Sequence, residues 1–135
     1  MRLTKKVAKL IAAERVCRVA TTGRDGRPHV VPVCPALAGQ KIYFGSGKEA
    51  AKVTNLEENP RIALTVDVYS EDWSRLIGVM VQGTARLITR GREFQRARAR
   101  LYEKFPQYSR EAALAASDSV IVEVTPTKVV TWGLD

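Results

Sequence analysis

The sequence predicts a mainly β domain: a largely antiparallel barrel of six strands with α additions. Three observations predict it. Six β-rich runs can be picked out, most are joined by tight turns, and the helical stretches fall between them as lids and connectors. The element order is helix, three strands, helix, two strands, helix, strand. No internal repeat and no low-complexity segment interrupts it, and 135 residues make one domain, 1–135.

Each element has its own signal. Leu3, Val7, Leu10 and Ile11 share one face at helical spacing, opposite Lys5, Lys6 and Lys9, so a short amphipathic helix opens the chain and packs over a sheet edge or barrel mouth. Val16 to Thr22 and Pro28 to Leu37 are β-rich runs around the Asp25-Gly26 turn signal, which makes them antiparallel neighbours. A turn at Ala38-Gly39-Gln40 leads to Lys41-Ile42-Tyr43-Phe44, completing a three-strand meander before a glycine-rich loop, Gly45-Ser46-Gly47-Lys48. A helix from about Glu49 to Glu58 stops at Asn59-Pro60, because proline disfavours helical geometry in the residue before it. Strand Arg61 to Tyr69 follows, then a polar excursion Ser70 to Leu76 carrying Trp73, then a long strand Ile77 to Ile88 with a bulge expected at Gly83. Phe94, Ala97, Leu101 and Phe105 form the apolar stripe of a helix over Gly91 to Phe105, ended by Pro106. A small alanine-rich helix precedes the last strand, Ser119 to Trp132, interrupted at Pro126.

Composition removes several function classes. Apolar residues at 45% and charged residues at 27% are globular values, which excludes a disordered or fibrous chain. No apolar run approaches the roughly eighteen residues of a membrane span, and no cleavable leader is visible, so the expected location is cytoplasmic, with no membrane partner. Cys17 and Cys34 could form one bridge, but they read as buried free thiols in a domain of this size. His29 is the single histidine, which leaves too little material for a zinc site or a Ser-His-Asp triad, and no metal is expected. The net charge of +8 suits a polyanion, an anionic membrane or a phosphorylated small molecule. Arg90, Arg92, Arg96, Arg98 and Arg100 look like a nucleic-acid stripe, yet no stacking platform accompanies them; they read as a solvated helix face, with no nucleic-acid partner.

Gly45-Ser46-Gly47-Lys48-Glu49-Ala50 matches the dinucleotide pattern G-x-G-x-x-A, with Asp67 about twenty residues on. Hairpin-connected strands before it, and no βαβ units after it, oppose that reading. A P-loop fails because Ile42 stands where its first glycine belongs. A phosphate reading remains: Ser46 offers a hydroxyl, Gly47 lets backbone amides approach, and the helix N-terminus points at the site. Lys48 and Lys52, four apart, would then both face the anion; the alternative is a solvated helix start with two surface lysines. His29 faces a ligand, acts as an acid, or caps the hairpin. Trp73 and Trp132 either stack on a planar ring or anchor a core or interface.

Taken in order, Val16-Cys17-Arg18-Val19-Ala20-Thr21-Thr22, Asp25 to Val33, Ile42-Tyr43-Phe44 and Lys52 to Pro60 resemble the flavin-reductase-like split β-barrels of the pyridoxamine-phosphate-oxidase-like superfamily. Val66 to Leu76 and Val81-Gln82-Gly83-Thr84-Ala85 are similar to its subgroup of probable deazaflavin (coenzyme F420) dependent enzymes. The resemblance covers about Val16 to Trp132 and implies a six-stranded split barrel. It also implies a homodimer with two cofactor sites, each built from both chains. By position it implies that Ser46, Gly47 and Lys52 hold the cofactor phosphate with Lys48 as helper. His29, Val30, Val31, Pro32 and Val33 would run along the ring, while Trp132 approaches it and Trp73 lies in an interface loop. The implied function is hydride transfer between bound F420 or FMN and a small organic substrate, with no dedicated catalytic side chain; a non-catalytic cofactor carrier on the same barrel is the alternative. Ala51 stands where the pyridoxal-phosphate-forming oxidase has an arginine, and that enzyme's substrate-binding C-terminal extension is not seen. The resemblance therefore points to a different substrate.

Overall fold

A computed structural model describes residues 1–134. Helix α1 (Lys5–Ala13) is followed by strands β1 (Cys17–Thr22), β2 (Pro28–Val33), β3 (Ala36–Ala38) and β4 (Lys41–Gly47). Next come α2 (Ala51–Glu58), β5 (Arg61–Val68), a single 3-10 turn at Trp73–Arg75, and β6 (Ile77–Ile88). Helices α3 (Gly91–Lys104) and α4 (Tyr108–Glu111) precede β7 (Ser119–Trp132). All pairings are antiparallel, in the order β2-β1-β5-β6-β7-β4-β3.

The order explains the barrel. β2 and β3 lie at opposite ends of the sheet yet are joined only through Cys34 and Pro35. A link that short spans only about 10 Å, so the sheet must curl until its two edges approach each other. The split barrel is thus the expected class, with one more strand than the six expected. The run Pro28 to Leu37 divides because Pro35 has no N–H to continue a ladder. The three-strand meander is corrected for the same reason, since β2 pairs with β1 while β4 pairs with β3 and β7.

The interior is filled by the inward residues of alternating strands: Val19, Ile42, Phe44, Leu64, Val66, Val79, Val81 and Val122, closed by Val7, Leu10 and Ile11 of α1. Thr4 caps α1, its hydroxyl accepting from the Val7 N–H at 3.2 Å. A second core lies outside the sheet, where Phe94, Ala97 and Leu101 of α3 cover Ile88, Ile121 and Leu114. The hairpin turn uses Gly26 at φ 73°, a left-handed conformation that favours glycine. At Gly83 the register slips as expected, and any Cβ there would collide with the Thr125 carbonyl.

Two local expectations are corrected. Gly45, Ser46 and Gly47 are not a loop but the end of β4, paired with Ile121, Val120 and Ser119; with antiparallel neighbours on both sides, β4 excludes the dinucleotide fold. The alanine-rich stretch is irregular, and the short helix falls before it on Tyr108–Glu111. Leu114 is pulled into the second core, its N–H donating to the Tyr102 hydroxyl at 2.9 Å and its carbonyl accepting from Arg98 at 3.1 Å. Cys17 is buried and Cys34 half-buried, both as free thiols. Among the described residues no helix is long and apolar enough to cross a membrane.

Candidate functional site

Helix α3 covers the outer face of β4, the first half of β7 and the end of β6 at Ile88, leaving the outer face of β1, β5 and the rest of β6 open. On that face lies a cavity of about 520 Å³ lined by Ala20, Thr22, Arg61, Ala63, Gln82 and Thr84 among others. The small side chains of Ala20 and Ala63 continue into a smaller hollow beside Arg18, Val30 and Met80. The trough is thus apolar at its floor, hydroxyl- and amide-rich at its rim, and carries cations but no carboxylate in its lining. None of these residues except Val30 was marked by the sequence reasoning. The available signal was the alternation of β5, where Arg61, Ala63 and Thr65 take the face opposite Ile62, Leu64 and Val66.

Above one end of the trough, β4 leads into α2 and places three of the expected phosphate ligands within a few residues. Ser46 is buried on the inner face of β4, its hydroxyl donating to the Gly47 carbonyl at 3.1 Å. Gly47 is the last residue of the strand. Lys52 is the second residue of α2 and half-buried, and among the described residues it has neither an ion pair nor a side-chain hydrogen bond. Burial pulls its pKa below the ordinary lysine value. Helix α2 opens on Ala50 with no side-chain cap, so its first N–H groups are left for solvent or an anion. Lys48 departs from expectation: it precedes the helix in a turn, its N–H donating to the Asp118 carbonyl at 3.0 Å, so it does not share a helical face with Lys52.

Hydrogen bonds fix α2 to the same end of β1. Asn55 Nδ2 donates to Thr21 Oγ1 at 3.0 Å and Asn59 Nδ2 to Thr22 Oγ1 at 3.1 Å. His29 pairs with Thr21 in the ladder, and its Nδ1 is buried without a partner among the described residues. The remainder of β2 alternates: Val31 and Val33 face the interior, while Val30 and Pro32 are exposed. β2 is an edge strand, and its prolines, Pro28 and Pro32, carry no N–H on that edge.

The two tryptophans sit elsewhere. Trp132, at the end of β7, pairs with Gly78 and lies across it, so that any Cβ at Gly78 would strike the indole. Trp73 is 73% exposed, and its Nε1 donates to the Tyr69 hydroxyl at 3.3 Å. Arg61, where α2 hands over to β5, pairs with Thr84, whereas Trp132 pairs with Gly78 six residues down β6. At about 3.4 Å per residue the lysine end and the tryptophan end of one chain are about 20 Å apart along the sheet. Among the described residues no cluster of three or more His, Cys, Asp or Glu could hold a metal ion.

A family model described as pyridoxamine 5'-phosphate oxidase matches residues 3–133. The chain is 27% identical over 140 residues, 100% of this chain and 86% of the other, to the 5a,11a-dehydrotetracycline/5a,11a-dehydrooxytetracycline reductase of Streptomyces rimosus. Among solved structures it resembles a heme storage protein from Vibrio cholerae, with TM-score 0.80, 17% identity, and 99% and 97% of the two chains covered. It also resembles an F420 reductase, with TM-score 0.75, 20% identity, and 95% and 98% covered. At these identities the two structures speak for the fold.

Proposed function

The chain belongs to the pyridoxamine 5'-phosphate oxidase family, and from that premise we propose that it is a cytoplasmic oxidoreductase working with coenzyme F420 or FMN on a small organic substrate. The observation that carries the reading is Lys52: a half-buried ammonium without a carboxylate, at the start of an uncapped helix. A cation in that setting lacks the charge that would offset its desolvation, and a cofactor phosphate supplies it. The residues present therefore fit a phosphorylated cofactor.

When bound, the isoalloxazine-type ring accepts and donates hydride. Lys52 and the first N–H groups of α2 hold the phosphate, with Ser46 and Gly47 beside them. The outer edge of β2, within His29 to Val33, offers the ring the Val30 N–H and the outward carbonyls of Val30 and Pro32, and the Val30 side chain gives it an apolar contact. The trough over Ala20 and Ala63 takes the substrate, with Arg61, Gln82 and Thr84 as donors to its oxygens. Trp132 and Trp73 lie at the opposite end of the sheet from Lys52, so we assign them to the cofactor held by Lys52 of a second chain. A second copy packed antiparallel on the open face would bring its aromatic end to this chain's lysine end and complete such a homodimeric site.

The relation to a dehydrotetracycline reductase favours reduction of an unsaturated organic substrate, for which conjugated carbonyl compounds serve as probes. The competing reading is a cofactor carrier without turnover, a role that the same barrel fold also serves in a heme storage protein. Steady-state assays separate the two: reduced F420 or FMN is supplied with a panel of conjugated carbonyl acceptors, and reoxidation is followed by absorbance. We expect protein-dependent reoxidation with at least one acceptor. Cofactor binding with no reoxidation above the protein-free rate across the panel would establish the carrier.

A further inference from the structure

We propose that the groove between α3 and the outer face of β4 and β7 is a second binding site, for a small compound bearing a phosphate or carboxylate group. The groove encloses about 290 Å³ and is lined by Tyr43, Arg86, Glu93, Arg96, Arg100 and Glu123 around an apolar floor that includes Ile88 and Ala97. Its acidic groups are already occupied. Arg86 donates from Nη1 and Nη2 to the two oxygens of Glu93 at 3.0 and 2.8 Å, and from Nε to Glu123 at 3.2 Å. Glu123, 7% exposed, also accepts from the Tyr43 hydroxyl at 2.9 Å and sits 3.5 Å from Lys41 Nζ.

Arg96 and Arg100 are left over. They stand one turn apart on α3, both line the groove, and among the described residues neither makes an ion pair or a side-chain hydrogen bond. Like charges at that spacing repel, and among the described residues no carboxylate stands within ion-pair distance of either. Counting Lys41, four cations face two carboxylates, so the groove keeps an excess of positive charge after its internal pairs are made. Two guanidinium groups at a cavity mouth present the forked donors that phosphate and carboxylate oxygens accept, and the floor takes a compact apolar body. A volume near the lower bound of about 300 Å³ for ligand pockets selects a small compound over a dinucleotide. The groove lies under α3 on the same outer side of β6 as the trough, with Arg86 two residues along from Thr84, but the two share no lining residue and Lys52 lines neither, so the proposal does not depend on the cofactor assignment.

The test uses the full chain, with inorganic phosphate and succinate as probes and sodium chloride at matched ionic strength as the control. The arginine Nε–H resonances are followed by NMR and thermal stability is recorded in parallel. We expect saturable shifts of the Arg96 and Arg100 resonances with phosphate or succinate but not with chloride, and a rise in Tm. In R96Q/R100Q, two exposed positions whose replacement leaves both cores intact, affinity should fall at least tenfold, while the titration with F420 or FMN is unchanged. Non-saturating shifts that are the same in chloride would overturn the proposal. So would saturable binding that survives in R96Q/R100Q, or tight binding of a duplex oligonucleotide with no phosphate or succinate site.

Discussion

Lys52 illustrates how burial makes a single side chain informative. Desolvation lowers its pKa, so in the free protein the protonated form is held at a cost that is relieved as pH rises through that lowered value. An anion reverses the preference by favouring the ammonium. Cofactor affinity is therefore expected to be greatest where Lys52 is protonated and to fall as pH rises through its lowered pKa; binding titrations at a series of alkaline pH values check this, and in Lys52→Gln the fall should be absent. Cys17 shows the opposite use of burial. Its thiol is fully enclosed and pushed up to about 12 by desolvation, so it is a poor nucleophile at neutral pH. Iodoacetamide should leave Cys17 unmodified in the native protein and label it on unfolding in urea, as read by peptide mass spectrometry. In the sequence Lys52 stood between a phosphate ligand and a surface lysine at a solvated helix start after a glycine-rich loop; its half-burial without a partner was not legible there, because it depends on how α2 packs on β1. Arg61, Gln82 and Thr84 were not, because an alternating polar face reads as ordinary solvent exposure until the sheet order shows what covers it.

At the scale of elements, one lysine holds three segments together. Lys104 Nζ, at the end of α3, donates to the carbonyls of Ile11 at 3.2 Å, Glu14 at 2.7 Å and Pro35 at 2.7 Å. It thereby satisfies carbonyls at the end of α1 and pins the short link that carries the chain from one sheet edge to the other. Lys104→Met should cost about 2–3 kcal/mol, because charge-assisted hydrogen bonds are lost and half-buried carbonyls are left without a donor. Urea denaturation monitored by circular dichroism measures the loss, and a change below about 0.5 kcal/mol would remove Lys104 from this role. Elements with their own periodicity were legible: α1, α3, β5 and β6 follow the apolar spacing closely. Gly45-Ser46-Gly47 was misread because two glycines signal a loop, whereas here Gly45 lets Leu114 approach the strand closely, 2.8 Å from where its Cβ would stand, and Gly47 is simply the last residue of the strand. The division of Pro28 to Leu37 was hidden for a related reason. Local pattern marks β-rich residues but not which strand they join.

At the scale of the whole molecule, the sheet is covered on one outer face and bare on the other. Val30 is 65% exposed, Val130 43% and Trp132 41%, and all three lie on strands whose inner faces belong to the barrel core. A second copy on this face would remove those groups from water and complete the site between the lysine end of one chain and the aromatic end of the other. Val30→Glu should shift a dimer to monomer in sedimentation velocity without lowering the helical or strand content, since the position is outside the core. Overlap of the variant's sedimentation with the wild type would place the interface elsewhere. The barrel itself was legible from strand count and turn lengths, whereas the uncovered face was not, because exposure is a property of the assembled sheet.

If a phosphorylated redox cofactor sits at the Lys52 end of the barrel, its affinity depends on that one ammonium. A side-by-side fluorescence titration of the purified protein and of Lys52→Ala with F420, FMN and heme tests it most directly. We expect saturable binding of F420 or FMN that weakens by about 1.5–3 kcal/mol in Lys52→Ala, roughly ten- to a hundredfold in affinity, while the fold is retained. Binding of heme alone, or F420 and FMN affinities that are the same in both proteins, would contradict it.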